Sequence, residues 1–344
     1  MKAWLLEKTG PIQADSRPLR MVELPDPMPG EDQVLIRVAA CGVCHTELDE
    51  IEGRTPPACL PMVLGHQVVG QVVAIGDRVS ESVVGDRVGV PWIFSACGHC
   101  PHCAAGRENL CPDFLATGRD RFGGYAELMV AEAAFVHRIP DSISDMEAAP
   151  LLCAGAIGYR SLQLTGLVDG QSLGLTGFGG SAHLVLKLVQ QRMPSSRIHV
   201  FARSERERSF ARQLGAFWAG DTHDKAPALL DAIIDTTPAW LPIVQALENL
   251  VPGGRLVVNA IRKEPRDQAE LLKLDYARHL WLEKQIQSVA NVTRQDVREF
   301  LRLAADAALK PQTQIFSMAE ANQALVELKH QSVTGAKVLR IAPS

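Results

Sequence analysis

Four cysteines in one short segment give the strongest chemical signal in the sequence. They are spaced C-x2-C-x2-C-x7-C and are Cys97, Cys100, Cys103 and Cys111. Gaps of two residues let successive thiolates turn inward on one tight loop, and four sulfur ligands close a tetrahedron around zinc. Because no position is left for a substrate, the spacing predicts a structural zinc rather than four unrelated thiols.

Three more side chains of metal-binding type are spread along the chain in unrelated local sequences. Cys44 belongs to Cys-Gly-Val-Cys-His-Thr-Glu, His66 to Gly-His-Gln, and Cys153 to Leu-Leu-Cys-Ala-Gly. Spacing does not link these residues, and a lone cysteine in an apolar stretch is usually a buried core residue. On the residues alone, both roles stay open: metal ligand or ordinary core side chain.

A glycine-rich turn in the second half of the chain has the pattern G-x-G-x-x-A. Its glycines are Gly177, Gly179 and Gly180, and Ala182 completes the pattern. Such glycines allow a tight turn in which backbone amides at a helix N-terminus approach a pyrophosphate. The pattern alone also fits an ordinary turn. Here it lies between a predicted strand at 172–176 and a predicted helix at 181–191, and this context predicts dinucleotide binding.

The elements that must position these groups change character along the chain. The first third is rich in valine, glycine and proline, and predicts short strands such as 34–38 and 68–73. From about residue 150, strands alternate with amphipathic helices, as in a parallel sheet covered on both faces. The strands predicted after the glycine turn are 198–202, 232–235, 255–259 and 336–341, and the last is expected to return to the first domain.

Taken together, these segments resemble the zinc-containing medium-chain alcohol dehydrogenases over nearly the whole chain. Gly65 and His66 are similar to the family's Gly-His-Glu motif, and the four-cysteine loop stands where the family has its structural zinc lobe. The resemblance implies an α/β fold with a mostly β, GroES-like catalytic domain and a Rossmann domain built on a doubly wound parallel sheet. It implies a catalytic domain at 1–150 with a zinc lobe at 97–111, an NAD(P)-binding domain at 151–287, and a return to the catalytic domain at 288–344.

The resemblance also assigns roles around a second, catalytic zinc. It implies Cys44, His66 and Cys153 as ligands, a Cys2His set that leaves one position open on the zinc. A zinc ion held in this way lowers the pKa of a bound alcohol, which can then transfer a hydride to nicotinamide. Thr46 matches the hydroxyl that accepts the alcohol proton, with a helix cap as its alternative role. The remaining positions assigned near the relay or the cofactor are Asp49, His45 and Lys337.

Several positions near this site depart from the family pattern. Gln67 replaces the glutamate that follows the ligand histidine, which should leave the zinc more electrophilic. Glu47 replaces an aspartate that supports the ligand histidine. Asp49 stands where many members have a histidine that ends the proton relay, and a solvated helix residue is its alternative role.

The substrate pocket is expected to be wider than ethanol requires. Trp92 resembles a residue that lines this pocket in the family, although packing in the core or an interface is its alternative role. Thr55 stands where some yeast-type relatives have a tryptophan that narrows the pocket.

The residues after the second strand of the α/β domain bear on cofactor choice. An acidic residue at the end of this strand binds the ribose hydroxyls of NAD, but the aligned residue here is Ala202. Arg203 follows and offers a planar fork for a 2′-phosphate, and Ser204 offers a hydroxyl. The pattern favours NADP(H) over NAD(H). Alternatively, Ser204 only caps a helix at 205–214 together with Glu207.

The amino-acid composition limits the kinds of partner that this chain is expected to bind. The 344 residues include 35 basic and 39 acidic side chains, a formal net charge of −4 without a basic stripe, which argues against nucleic acid and anionic membranes. No apolar run approaches the roughly 20 residues of a membrane helix, and the N-terminus lacks a signal-peptide core. We therefore expect a cytoplasmic enzyme acting on a small alcohol or aldehyde, with two zinc ions and NAD(P)(H). The resemblance implies a homo-oligomer, a dimer or a tetramer.

Two competing hypotheses remain at this point. A zinc-free quinone or enoyl reductase of the same superfamily lacks the cysteine lobe and the ligand set, so all seven ligand residues argue against it. A zinc protein with a binding or structural role and little or no catalysis is supported by Gln67 and Asp49. Absorbance at 340 nm with a panel of alcohols and aldehydes separates these hypotheses.

Overall fold

The computed structural model describes residues 1–331 and 335–341, which form two compact units. The first holds Met1–Ala156 with the described residues from Asn291 onward, and the second holds Ile157–Ala290. The sequence predicts boundaries after residues 150 and 287, whereas the units change after residues 156 and 290. Composition does not mark the first boundary, because the chain runs through it in consecutive helical segments.

Eighteen strands and nine α-helices are found in the described residues. The strands are β1 Lys2–Leu6, β2 Leu19–Glu23, β3 Gln33–Val43, β4 Met62–Val63, β5 Val68–Ile75, β6 Arg87–Val90, β7 Ile93–Ser95, β8 Leu115–Ala116, β9 Leu128–Glu132, β10 His137–Arg138, β11 Ser172–Thr176, β12 Arg197–Phe201, β13 Trp218–Gly220, β14 Leu230–Asp235, β15 Leu250–Val258, β16 Gln285–Ser288, β17 Thr313–Ser317 and β18 Ala336–Arg340. The helices are α1 His45–Ile51, α2 Pro101–Ala104, α3 Asp145–Pro150, α4 Ala156–Thr165, α5 Gly180–Arg192, α6 Glu205–Gln213, α7 Leu241–Glu248, α8 Arg294–Asp306 and α9 Ala321–His330. None of these helices is long and apolar enough to cross a bilayer.

The first unit is built mainly from antiparallel strands. Its largest sheet has the order β10-β6-β5-β3-β18-β17, with β9 also paired to β3, and a smaller sheet has the order β2-β1-β4. Side chains in the first part of β3 alternate between buried and less buried positions, whereas its last four residues are all buried. The last strand, β18, pairs antiparallel with β3, so the chain returns to the first unit as the sequence predicts.

The second unit is a six-stranded parallel sheet with the order β13-β12-β11-β14-β15-β16. Numbered within this unit, the order is 3-2-1-4-5-6, the doubly wound dinucleotide-binding topology, in which ligands bind outside the carboxyl ends of the strands. The predicted fold class is therefore confirmed in both units. The predicted strand at 172–176 coincides with β11, and β15 begins five residues before the predicted start at 255.

A buried histidine in the second unit makes its stability depend on pH. His183 on α5 is fully buried, and its ring packs against Phe210 of α6 with centroids 6.2 Å apart. Burial lowers the pKa of His183 to about 4 from its ordinary 6.5. Because the folded state binds fewer protons than the unfolded state, this residue stabilises the fold above about pH 6.5. That contribution is lost as the pH falls toward 4.

We predict that His183→Gln makes the unfolding free energy less dependent on pH between pH 6.5 and 4. The slope should fall by up to about 1.4 kcal/mol per pH unit, the free energy of one proton. Urea unfolding at a series of pH values measures this slope. The exposed His223 of the same unit supplies the control, His223→Gln, which should keep the wild-type slope. An unchanged slope in His183→Gln would contradict the prediction.

Candidate active site and metal centres

The first turn of α1 presents a cysteine thiol at the end of the longest strand of the first unit. Cys44 follows β3 with an extended backbone and is the N-cap of α1. Its backbone amide donates to Glu47 Oε2 at 2.8 Å, which satisfies one of the free amides of a helix start. The alternative interpretation of Thr46 as the helix cap is therefore wrong, because Cys44 occupies that position.

Three predicted ligands, far apart in sequence, come together beside this helix start. The ligand atoms of Cys44, His66 and Cys153 all lie within 4.8 Å of one another. His66 Nε2 is 3.2 Å from Cys153 Sγ, close to the tetrahedral edge of about 3.6 Å that zinc–nitrogen and zinc–sulfur bonds produce. Cys153 lies in a π-helical turn, Leu151–Gly155, between α3 and α4. Such turns are rare and occur frequently at functional sites.

The second nitrogen of the ligand histidine is held by a buried carboxylate. Glu47 Oε1 is 2.6 Å from His66 Nδ1, and both side chains are inaccessible to solvent. A carboxylate at Nδ1 fixes the ring orientation and leaves Nε2 free to bind a metal. Glu47 therefore takes the position of the shorter aspartate that the resemblance implies for this role.

Charges in the cluster suit a cation bound between the three ligands. A hydrogen bond with Cys153 lowers the pKa of the Cys44 thiol well below its usual value, although burial opposes this shift. Burial also opposes a charged imidazole, yet Glu47 and Cys44 raise the pKa of His66 well above its usual value. The pocket thus holds negative charge on sulfur and carboxylate groups, and a divalent metal would neutralise it.

The four-cysteine loop forms a second, separate ligand group. The sulfur atoms of Cys97, Cys100, Cys103 and Cys111 lie within 4.8 Å of one another. Cys97 Sγ and Cys103 Sγ are 3.9 Å apart, against about 3.8 Å for two tetrahedral sulfurs on zinc. Backbone amides of His99 and Cys100 lower the pKa of Cys97 to about 6, which favours the thiolate. The residues present fit a four-sulfur zinc site.

The residues predicted for the proton relay lie on α1. Thr46 is half-buried, and its Oγ1 is 3.7 Å from Cys44 Sγ, beside the ligand cluster. His45 is exposed on the same turn. Asp49 is buried, and its Oδ1 accepts from Arg54 Nε at 2.7 Å. The alternative interpretation of Asp49 as a solvated residue is therefore wrong.

Trp92, predicted to line the substrate pocket, packs beside the ligand histidine. Its ring meets that of His66 edge-on with centroids 6.5 Å apart, and the Arg119 guanidinium lies 5.2 Å from the Trp92 ring centroid. Trp92 Nε1 and Thr55 Oγ1 are buried, and neither has a hydrogen-bond partner in the described part of the chain. Trp92 Nε1 is therefore an unsatisfied donor on a side chain that packs against the ligand histidine, and such an atom is suited to contact with a ligand.

Sequence reasoning missed a fully buried acid in this region. Glu50 lies one turn after Glu47 on α1, and neither of its carboxyl oxygens has a hydrogen-bond partner among the described residues. Burial raises the pKa of Glu50 well above its usual value, and the negative charge of Glu47 adds to the effect. In the sequence, Glu50 has the pattern of a solvated helix residue, so no local signal identified it.

The glycine turn of the second unit follows β11, as predicted. Gly177 has a φ of +74°, and a Cβ there would lie 2.9 Å from Thr237 Cγ2, so only glycine fits. Gly179 is the N-cap of α5, and a Cβ there would meet nothing within 4 Å. Gly180 begins the helix and Ala182 is buried in its first turn. The backbone at Gly179 therefore has open space beside it at the start of the helix, which a phosphate group would need in order to approach.

The end of β12 shows which side chains are free to bind a cofactor ribose. Ala202 is buried after the strand, and Arg203 is exposed, with no hydrogen-bond or ion-pair partner for its guanidinium in the described residues. Ser204 accepts from the Glu207 amide at 3.2 Å and so caps α6. Its hydroxyl donates to the Glu207 carboxylate.

Lys337, predicted to contact the cofactor, is engaged elsewhere. Its Nζ donates to Glu327 Oε2 at 2.7 Å and to Gln314 Oε1 at 2.9 Å, and the residue is 2% exposed. The ammonium group also lies 4.5 Å from the Phe316 ring centroid. Because its charge is already paired inside the first unit, Lys337 is left out of the proposed cofactor site.

Comparison with known proteins agrees with this geometry. Residues 30–141 match the alcohol dehydrogenase GroES-like domain. The chain is 41% identical over 346 residues to the probable alcohol dehydrogenase AdhA of Mycobacterium tuberculosis (strain CDC 1551 / Oshkosh), covering 99% of this chain and 97% of that protein. It is 32% identical over 343 residues to an alcohol dehydrogenase of Geobacillus stearothermophilus, covering 97% and 99%. The solved cinnamyl alcohol dehydrogenase SbCAD4 of Sorghum bicolor has a TM-score of 0.88 and 30% identity, with 100% of this chain and 98% of that chain covered.

A GroES-like unit with two ligand groups and a Rossmann unit with a glycine turn define a zinc-type medium-chain dehydrogenase. The chain belongs to the zinc-containing medium-chain alcohol dehydrogenase family, as its sequence predicts.

We predict that Glu50→Gln stabilises the metal-loaded protein at pH 8 while lowering kcat/KM for alcohols. The pKa of Glu50 is raised by burial and by Glu47, so ionising this carboxyl costs the folded state more than the unfolded state. A neutral amide removes that cost, and the expected gain at pH 8 is about 1.4 kcal/mol for each unit by which the pKa is raised. Activity should fall, because residues that destabilise the fold are expected mainly at functional sites, and Glu50 is such a residue near the ligand cluster. Urea unfolding and steady-state kinetics measure the two effects.

The matched control is Glu47→Gln, one helical turn earlier, which removes the same charge from a paired carboxylate. It should destabilise the protein, because His66 and the Cys44 amide lose a charged acceptor. Destabilisation of Glu50→Gln to the same extent would show that Glu50 is a structural residue.

Proposed function

We propose that this chain, an alcohol dehydrogenase by family, oxidises a small alcohol at the cluster of Cys44, His66 and Cys153, and catalyses the reverse reduction. The alcohol loses a hydride to the nicotinamide of NAD(P)+ and a proton to the protein, giving an aldehyde or ketone and NAD(P)H. The supporting observation is the convergence of these three ligands with Glu47 at 2.6 Å from His66 Nδ1. When bound there, zinc supplies a Lewis acid that lowers the pKa of the alcohol.

The side chains on α1 provide the path for the alcohol proton. Thr46 Oγ1 is 3.7 Å from Cys44 Sγ, so its hydroxyl lies beside the ligands that would hold a zinc ion. We assign it the first transfer of the proton. Asp49 lies one helical turn further on, where Arg54 holds its carboxylate in place, and it is the proposed next acceptor. His45, exposed at the same helix start, is assigned to the cofactor pyrophosphate.

The alternative of a zinc protein with little or no catalysis rests on Gln67 and Asp49. Gln67 is buried, and its side chain packs where Gly42 has no Cβ, since a Cβ there would lie 2.1 Å from Gln67 Oε1. Neither departure removes a ligand. The ligand geometry therefore supports a catalytic centre over a purely structural one.

We infer self-association from the exposed edge of the parallel sheet. All four residues of β16 are exposed, and the segment before it also exposes large apolar side chains. These are Leu272, Tyr276, Trp281 and Leu282. An unprotected edge strand beside exposed apolar side chains is suited to pairing with a second copy of the chain. Light scattering that gives the mass of a single chain at micromolar concentration would refute this proposal.

The catalytic assignment is tested by comparing one cysteine from each ligand group. We predict two zinc ions per chain and growth of absorbance at 340 nm with a panel of alcohols and NAD(P)+. Cys153→Ser should lose one zinc and all turnover while keeping the fold. Cys97→Ser should lose the other zinc and unfold at lower urea, because structural zinc binding contributes to folding free energy. Wild-type turnover in Cys153→Ser would overturn the catalytic assignment.

We also propose that the enzyme prefers NADP(H) to NAD(H) as its cofactor. This preference is supported by Ala202 at the position of the ribose-binding acid and by the exposed guanidinium of Arg203, which has no partner among the described residues. A carboxylate would repel a 2′-phosphate, whereas an arginine fork binds it through charge-assisted hydrogen bonds.

We predict a KM for NADP+ at least about tenfold below that for NAD+, since such bonds contribute about 1.5–3 kcal/mol. Initial rates with each cofactor measure this ratio. Arg203→Ile alone should raise the KM for NADP+ and leave that for NAD+ unchanged. Adding Ala202→Asp should reverse the preference. Equal or better use of NAD+ by the unmutated enzyme would refute NADP(H) preference, but not dehydrogenase activity.

A further inference from the structure

A pocket in the first unit contains none of the proposed zinc ligands. It has a volume of about 470 Å³ and is formed by β10, the residues flanking it, and one face of α8. This volume is within the range of about 300–1,000 Å³ that small-molecule sites occupy. The proposed activity makes no use of the pocket.

The charged residues around the pocket are mostly arginines without partners. Arg138, Arg298 and Arg302 line it, and within the described residues none of them has a hydrogen-bond or ion-pair partner for its guanidinium. Asp306 is the single carboxylate in the lining, so three positive charges face one negative charge in a chain whose net charge is −4. Arg298 and Arg302 are four residues apart on α8, a spacing at which like charges repel each other. An anion bound between them would remove this repulsion.

A buried histidine in the wall adds an independent observation. His137 is 4% exposed, and its Nε2 has no hydrogen-bond partner in the part of the chain that the structure describes. Burial, reinforced by Arg298 and Arg294, lowers the pKa of His137 to about 3, so the ring is neutral at physiological pH. A buried polar atom without a partner is unfavourable, and a ligand in the pocket would satisfy it.

The remaining lining is apolar and includes Val136, Leu301 and Ala305. An inorganic ion needs only the arginines, whereas a carbon skeleton would use this apolar surface as well. We propose that the pocket binds a small organic anion, with its phosphate or carboxylate group held by Arg138, Arg298 and Arg302 and its carbon skeleton packed on Val136, Leu301 and Ala305. Arginine is suited to this role, because its planar fork binds both phosphates and carboxylates in a bidentate manner.

The test is calorimetric titration of the zinc-loaded enzyme saturated with its nicotinamide cofactor, so that the dinucleotide site is filled. The probes are inorganic phosphate, phenyl phosphate and benzoate. Phenyl phosphate or benzoate should bind more tightly than inorganic phosphate, and the better of the two identifies the anionic group. The double variant Arg298→Gln, Arg302→Gln should weaken that binding by at least about tenfold, since charge-assisted hydrogen bonds are lost.

The matched control is Arg340→Gln, an exposed arginine of the first unit outside this pocket, which should leave the titration unchanged. Circular dichroism of the double variant should match wild type, because both side chains are exposed. Absence of binding by all three probes would overturn the proposal. So would equal binding by the double variant and wild type, or inorganic phosphate binding more tightly than both organic probes.

Discussion

The carboxylate of Glu47 connects the start of a helix to the ligand geometry of the proposed catalytic centre. One of its oxygens accepts from the Cys44 amide and the other lies 2.6 Å from His66 Nδ1. The first contact determines where α1 begins, and therefore where the Cys44 thiol and the Thr46 hydroxyl lie. The second determines which nitrogen of His66 faces the thiols. Because the contact with His66 is buried and the one with the Cys44 amide is partly buried, losing this carboxylate would leave unsatisfied polar groups as well as a loosened ligand.

The third ligand depends on packing rather than on hydrogen bonds. Cys153 lies in a π-helical turn, and Gly155 in the same turn is packed against Phe300 of α8 so closely that a Cβ would lie 2.2 Å from Phe300 Cε1. A residue far away in sequence thus presses on the turn that carries Cys153. This contact explains why the residue two positions after Cys153 is a glycine. It also shows that α8, although it provides no ligand, packs against the turn that positions Cys153.

Local sequence signals were sufficient for the strand, turn and helix around the glycine motif, whereas the GroES-like fold of the first unit came from the resemblance. The strand before Gly177 and the helix after it follow from apolar residues and glycines that lie next to one another, and the predicted strand coincides with β11. Lys337 shows where such reasoning fails. A lysine in a strand has the pattern of an exposed or ligand-binding residue, but tertiary packing supplies Glu327 and Gln314 as partners and leaves it 2% exposed.

The proposed active site shows the same limit. The ligands Cys44, His66 and Cys153 came from resemblance, since their separations in the chain carry no spacing signal. Glu50 could not be recognised as a buried acid, because an acidic residue on a short helix is normally solvated. In α1, however, every residue from Glu47 to Ile51 is buried. Its burial depends on the strands and loops packed around α1, which no local pattern describes.

The departure at position 67 removes a negative charge in the part of the first unit that also buries Glu50. Relative to the implied pattern, Gln67 loses a carboxylate, and the amide that replaces it packs into the space left by Gly42. Glu50 provides another carboxyl, fully buried and without a hydrogen-bond partner among the described residues, in the same part of the first unit. The Cys44 thiolate and Glu47 already concentrate negative charge there, and like charges at short range raise the cost of each further ionised group. The absence of a carboxylate at position 67 lowers the cost of ionising the groups that remain. The amide at 67 and the acid at 50 are therefore best understood together, as one electrostatic arrangement around the ligands.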